Sequence, residues 1–305
     1  MASTLHVVLY HPSRLPVTKY GGTERVVVWL ARGLAEMGHR VSLIAFPGSV
    51  VPGATLIPIQ PKAAALKGGP DLTPYLPAGA EILHAHVPLE RPPAIPFCWT
   101  FHGTGRPGRV FPPTTIGLSA DHAARHGLTQ WVHNGLDPDD YRFSPTKQSR
   151  DLFLGRLHTS KGWDWAVRGA RIAGKSLVVA GGWRPSLRPG LKFVGEVGGE
   201  EKMALLATSA CLWVPVQWDE PFGLTTIEAM VSGTPVLGTR RGALPEVITP
   251  ETGAMGDSVA ELVALRPTLD QLDPGAIRQH VLDRFTYRTM AENYVRIYSG
   301  SIGRG

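Results

Sequence analysis

Cysteine is scarce: 305 residues hold only Cys98 and Cys211, each in an apolar run in a different half. That excludes a disulfide-stapled scaffold and points to buried thiols in a reducing compartment. Long apolar runs are missing too. Stretches such as Val26–Ala31 fall far short of the roughly 20 residues that a spanning helix needs. The opening MASTLHVVLYHP has no basic segment ahead of a long apolar one, so no signal peptide is expected and the expected location is cytoplasmic. Nor is there a run of five Lys or Arg, which weighs against nucleic acid as a partner. Charged residues make up 18% of the chain against 43% hydrophobic, a balance that excludes disorder.

What the chain does have is length and punctuation. Its 305 residues fit about two domains, each able to bury its own core. The net charge of +6 is uneven, +5 over 1–150 against +1 over 151–305, and nine of the eleven His lie in the first half. Such an excess suits an anionic small molecule or surface. With 35 Gly and 27 Pro, short apolar runs alternate with helical spacings, the pattern of βαβ units and parallel sheets. Leu5–Tyr10 reads as a strand, 24–37 as a helix stopped by Gly38, and Val41–Phe46 as the next strand. Further strands are expected at Ile82–His86, Phe97–Phe101, Thr115–Leu118 and Trp131–His133. Long loops are expected at 47–80 and 103–113.

A polar break near Tyr141–Arg150 starts a second alternation: strands at Asp151–Leu154, Ser176–Ala180, Leu191–Val194, Cys211–Val216 and Pro235–Gly238, with helices at Trp163–Ala173, Glu200–Ser209 and Leu224–Ser232. The expected domains are 1–145, 146–285 and a C-terminal helix over 286–305 that packs back on the first domain. Two doubly wound α/β domains imply a ligand site at the carboxyl ends of their strands.

Two glycine turns open helices: Tyr20-Gly21-Gly22-Thr23 and Glu220-Pro221-Phe222-Gly223-Leu224. Each either shapes the turn or lets an anion approach the free N–H groups of a helix start. Neither matches a dinucleotide fingerprint or a P-loop. Arg156 and Lys161 follow a strand in Leu154-Gly155-Arg156-Leu157-His158-Thr159-Ser160-Lys161-Gly162. They are surface charges or a fork and a point charge for two phosphates of one ligand. Glu220 and Glu228 bracket the second turn, where a carboxylate suits sugar hydroxyls better than phosphate.

Together these segments resemble the retaining glycosyltransferases of family four. The resemblance rests on Gly21-Gly22-x-Glu24, Phe101-His102-Gly103, Asn134-Gly135-Leu136-Asp137, Gly155-Arg156-x4-Lys161-Gly162 and Glu220-Pro221-Phe222-Gly223-x4-Glu228-Ala229-Met230. Gly233-Thr234-Pro235-Val236 and Gly242-x3-Glu246 follow in the same order. It implies the GT-B fold, two Rossmann-like domains facing each other across a cleft. It also implies transfer of a sugar from a nucleoside-diphosphate sugar, UDP-linked first and GDP-linked next, to an acceptor hydroxyl with retention. On this likeness Arg156 and Lys161 grip the diphosphate, Glu228 holds the ribose, and Glu220 with the backbone of Phe222, Gly223, Leu224 and Thr225 positions the sugar. Gly21 and Gly22 approach the phosphate, His102 lies near the sugar, and the backbone of Val197 meets the base.

No cofactor and no metal are expected. Asp137-Pro138-Asp139 is read as part of the Asn-Gly-x-Asp turn rather than a cation site, and His84 with His86 as core or lining rather than zinc ligands. His122, His126 and His133 are read as surface or acceptor-side residues, and Trp213 and Trp218 as core. The acceptor is a glycan, a lipid-linked group or a small molecule, with peripheral membrane contact compatible with the basic first half. A monomer or homodimer is expected. The competing readings are a sugar-nucleotide epimerase, a glycan phosphorylase and, last, a basic nucleic-acid-binding protein.

Overall fold

The structure is a computed structural model that describes residues 4–17, 21–66, 69–105 and 108–303. Tyr20 of the first glycine turn lies outside them. The chain divides into two compact units. Unit 1 runs through Leu136 and takes in the last stretch from Thr286; unit 2 is Asp137–Phe285. The expected boundary at 145/146 falls inside unit 2, because Tyr141 is buried there and donates its hydroxyl hydrogen to Glu228 at 2.8 Å.

Unit 1 contains β1 (His6–Tyr10), α1 (Gly22–Glu36), β2 (Arg40–Ala45), β3 (Ala54–Pro58), α2 (Pro61–Ala64), β4 (Ile82–Ala85), β5 (Phe97–Thr100), β6 (Thr115–Gly117), α3 (Ala120–Arg125) and β7 (Gln130–Trp131). The strands pair in parallel in the order β3-β2-β1-β4-β5-β6-β7. β1 is buried at all five positions, as a central strand covered on both faces must be. The expected long loop over 47–80 is a correction. It contains edge strand β3 and α2, whose Ala-Thr-Leu-Ile-Pro run lies only partly buried at the rim.

Unit 2 contains β8 (Arg150–Leu154), α4 (Trp163–Ile172), β9 (Ser176–Ala180), β10 (Leu191–Gly195), α5 (Gly199–Thr208), β11 (Leu212–Val214), α6 (Leu224–Val231), β12 (Val236–Gly238), α7 (Leu244–Val247), β13 (Gly253–Met255), α8 (Val259–Leu265) and α9 (Pro274–Arg284). Its parallel sheet runs β10-β9-β8-β11-β12-β13. Phe153, Leu177, Val179, Trp213 and Leu237 pack with Ala166, Ala170 and Leu262 as its core. Asp151 and Arg266 are buried inside it as a fork-to-fork pair at 2.6 and 2.9 Å, and Trp213 donates its indole N–H to the same carboxylate. Trp213 is therefore core, as the sequence reading has it.

The last helix, α10 (Tyr287–Ile302), returns to unit 1. The return is seated by Leu136, whose carbonyl accepts the Tyr287 N–H at 2.8 Å. α10 then lies on α1 at Gly33, where a Cβ would stand 2.8 Å from the Ala291 Cβ. Tyr287 and Arg288 both donate to Glu36 at the end of α1. Among the described residues no helix is long and apolar enough to cross a membrane.

Candidate functional site

The unit 2 sheet winds outward in opposite directions from β8 and β11, its two central strands. At such a reversal the loops leaving the carboxyl ends diverge and open a crevice. Both loops here carry charge. After β8 come Gly155, the exposed Arg156 and a one-turn 3-10 segment Thr159–Lys161, ended by Gly162 at φ 71°. A side chain at 162 would drive into the Pro215 carbonyl, and the Gln217 N–H donates to the Ser160 carbonyl at 2.7 Å. These contacts fasten the first loop to the one after β11 and so bring Lys161 to Trp218 and Glu220.

Lys161 Nζ stands 2.7 Å from Glu220 Oε2. The Trp218 indole N–H donates to the same oxygen at 2.9 Å, and the ammonium lies 4.2 Å from the Trp218 ring centre. Three groups thus lock one another, an ammonium held by a carboxylate and a π face. The sequence reading of Trp218 as core is corrected: it is partly exposed, as a member of this cluster. Gly242, at φ 58°, touches the Glu220 backbone where no side chain would fit, and the Ala243 N–H donates to the Glu220 carbonyl at 2.8 Å. That contact fixes the strand of chain leading into α6.

α6 starts from Gly223 at φ 85°, a left-handed conformation that favours glycine. The Leu224 and Thr225 N–H groups belong to its first turn, where no intrahelical acceptor exists and the helix end is positive. Both residues are partly exposed. The Phe222 ring faces the other way, buried against Phe285 with ring centres 5.8 Å apart, so its side chain serves packing. Val197 lies just past β10, partly exposed, two residues before α5.

Glu228 has 0% exposed side-chain surface. Lys202, from the first half of α5, reaches both of its oxygens at 2.8 and 2.7 Å, and Tyr141 donates to Oε1 at 2.8 Å. Lys202 keeps 16% of its side chain exposed, so this carboxylate lies enclosed behind a lysine. Lys202 and Tyr141 escaped the sequence reading because their partners are 26 and 87 residues away, with no local spacing to announce them.

Unit 1 holds the other expected residues. Gly21 precedes α1, and a Cβ there would press within 2.7 Å of Val17 and 2.9 Å of Glu24; Gly22 begins the helix. His102 follows β5, partly exposed, with Nε2 3.0 Å from His86 Nδ1. His84 is core: Tyr298 and Thr100 each bond it at 2.7 Å. His122 corrects the surface reading, since it is buried and bonds the Gly103 carbonyl at 2.8 Å and the Leu118 N–H at 3.1 Å. Burial pushes the His84 and His102 rings down to about 3 and His122 to about 4, with neighbouring histidines adding to the shift. Asp137 accepts the Asp139 N–H at 3.1 Å and caps the Pro138–Asp140 turn. Among the described residues no group of three or more His, Cys, Asp or Glu could hold a metal ion.

Residues 149–265, which carry the Arg156, Lys161, Glu220 and Glu228 segments, match the family described as Glycosyl transferases group 1. The whole chain is similar to AviGT4, a glycosyltransferase involved in avilamycin A biosynthesis, at 29% identity and a TM-score of 0.80, covering 99% of both chains. The likeness to group 1 glycosyl transferases thus lies in the segment that builds the unit 2 site. The chain's two Rossmann-like units are those of the GT-B fold. The chain is also similar to glycogen synthase of Mycobacterium tuberculosis, at 29% identity over 55% of the chain and 47% of that relative. A phosphatidyl-myo-inositol mannosyltransferase of Propionibacterium freudenreichii subsp. shermanii is 25% identical over 77% of the chain and 78% of the relative. The match thus spans about half the length of the first of these curated relatives.

Proposed function

We propose that the chain transfers a sugar from a nucleoside-diphosphate sugar to an acceptor hydroxyl, with retention at the anomeric carbon and without a metal. The reading is carried by the Lys161–Glu220–Trp218 cluster, set beside the start of α6 at the carboxyl ends of β8 and β11. Anions belong at such a helix start, and Arg156 and Lys161 supply charge for a diphosphate. In the reaction the bond from the anomeric carbon to the diphosphate oxygen breaks. The acceptor oxygen bonds to that carbon and gives up its proton, and the nucleoside diphosphate leaves.

In this reading Arg156, Lys161 and the α6 N–H groups stabilise charge as it gathers on the departing diphosphate, where preorganised donors act most strongly. Glu220 orders Lys161 and accepts from sugar hydroxyls. Within unit 1, Gly21 and Gly22 are assigned to a phosphate and His102 to a sugar oxygen; within unit 2, the Val197 backbone reads the base. The basic first half supports an anionic or lipid-linked acceptor as well as a glycan.

Calorimetric titration with UDP, GDP and ADP, first in EDTA and then in magnesium, tests this. Micromolar binding of one nucleotide in EDTA is expected, UDP first. Binding restored only by magnesium would overturn the metal-free reading. No binding in either condition would turn the assignment towards a glycan phosphorylase.

A further inference from the structure

In unit 1 the strand order runs outward from β1 and β4, and three histidines stand just past the carboxyl ends there: His11 after β1, His86 after β4 and His102 after β5. His86 Nδ1 and His102 Nε2 are 3.0 Å apart, with the rings stacked at 28° and their centres 5.3 Å apart. One of these two nitrogens carries the hydrogen and the other the lone pair. His86 Nε2 decides which. It is buried and meets no partner among the described residues. A hydrogen on that nitrogen would be an orphaned buried N–H, whereas a lone pair there costs less. His86 therefore carries its hydrogen on Nδ1 and donates to His102 Nε2. His102, as a neutral ring, then carries its own hydrogen on Nδ1.

The surroundings hold both rings neutral. Burial lowers His86 well below its ordinary value, helped by His84, His102 and His11; burial, His11 and His122 lower His102 to about 3. Behind His86, the His84 ring lies with its centre 4.2 Å away and both of its nitrogens engaged, by Tyr298 of α10 and by Thr100, which also bonds Tyr294 of α10.

We propose that His86 is a positioning residue that holds His102 in its Nδ1–H tautomer, a neutral hydrogen-bond donor for an oxygen of the bound sugar. The tautomer stands on the geometry of unit 1 alone, and only the sugar as recipient rests on the transferase reading. A ring in that state donates from Nδ1 and cannot take the acceptor's proton there, so His102 orients the sugar and is no general base at that nitrogen.

Long-range nitrogen–proton correlation spectra of the full chain with labelled histidine read the tautomer directly, and His102→Gln identifies the His102 signals by their loss. The expected pattern is a protonated Nδ1 and a bare Nε2 on His102, unchanged from pH 6 to 8. His86→Asn, whose side-chain N–H takes the place of Nδ1, keeps that pattern; His86→Leu loses the Nδ1–H form as the dominant one. A protonated Nε2 on His102 in the unaltered protein overturns the inference, as does a His102 pattern that ignores His86→Leu. Where His86→Leu does not fold, the spectrum of the unaltered protein decides. Failure of all three nucleotides to bind would sink the transferase reading and the sugar as recipient while leaving the tautomer intact, so the two failures are distinguishable.

Discussion

A carboxylate with no exposed surface is tolerable only with a counter-charge beside it, and for Glu228 that charge is Lys202, aided by Tyr141. Removing one partner of such a pair strands the other and costs about 3–5 kcal/mol. Lys202→Met is therefore expected to lower the unfolding free energy by about that amount in urea titration, with Lys202→Arg recovering much of it; an unchanged midpoint for the Met variant would mean the pair is not formed. Lys161 belongs to a different class. It is partly exposed, and its partners Glu220 and Trp218 hold it at a helix start. Arg156→Ala and Lys161→Ala are each expected to cut turnover at saturating donor by more than about tenfold, the factor that about 1.4 kcal/mol of barrier supplies. Melting temperatures close to the unaltered protein would show that the loss lies in the reaction rather than the fold.

Among elements, the helix pair α1 and α10 depends on one missing side chain. Gly33 sits where a Cβ would come within 2.8 Å of the Ala291 Cβ and 2.9 Å of the Tyr287 carbonyl, closer than two packed helices allow. Gly33→Ala gains helix propensity, worth about 1 kcal/mol in a free helix, but forces the pair apart. Overpacking of this kind costs about 1–3 kcal/mol. The net expectation is a lower melting temperature for unit 1, and a raised one would show that α10 shifts at little cost. The loops follow a similar logic at Gly162 and Gly242. Each has a left-handed φ and a backbone neighbour that leaves no room for a Cβ, so each fixes where a loop crosses another rather than merely ending an element.

Over the whole chain, buried neutral histidines are concentrated in unit 1. In unit 1, His84 and His102 are held down to about 3 and His122 to about 4, each chiefly by burial, with His86 lower than its ordinary value too. Unfolded, these rings take protons near 6.5. Between the folded and unfolded values the unfolded state binds more protons, so stability rises with pH there and is lost as pH falls. Among the described residues of unit 2, His280 is the one histidine with a lowered value. Scanning calorimetry at pH 7 and pH 5, with hydrogen exchange to assign the transitions, should find the unit 1 transition falling more than that of unit 2; the opposite order would contradict the buried neutral histidines. Much of the architecture was legible from the chain alone. Short continuous apolar runs between Gly and Pro marked the inner strands of both sheets, because a strand buried on both faces has few other compositions open to it. The edge strand β3 was not legible, since its short Ala-Thr-Leu-Ile-Pro run ends in a proline, which argues against a strand except at an edge. Arg156, Lys161 and Glu220 could be named from local spacing, for they follow strand ends and flank a helix start. What only the tertiary structure decided was the company those residues keep: Trp218 joining Lys161 and Glu220, Lys202 enclosing Glu228, and His86 setting His102. Each pairing joins separate loops or elements at a sheet's carboxyl edge, and which elements meet there depends on strand order, which sequence periodicity does not encode.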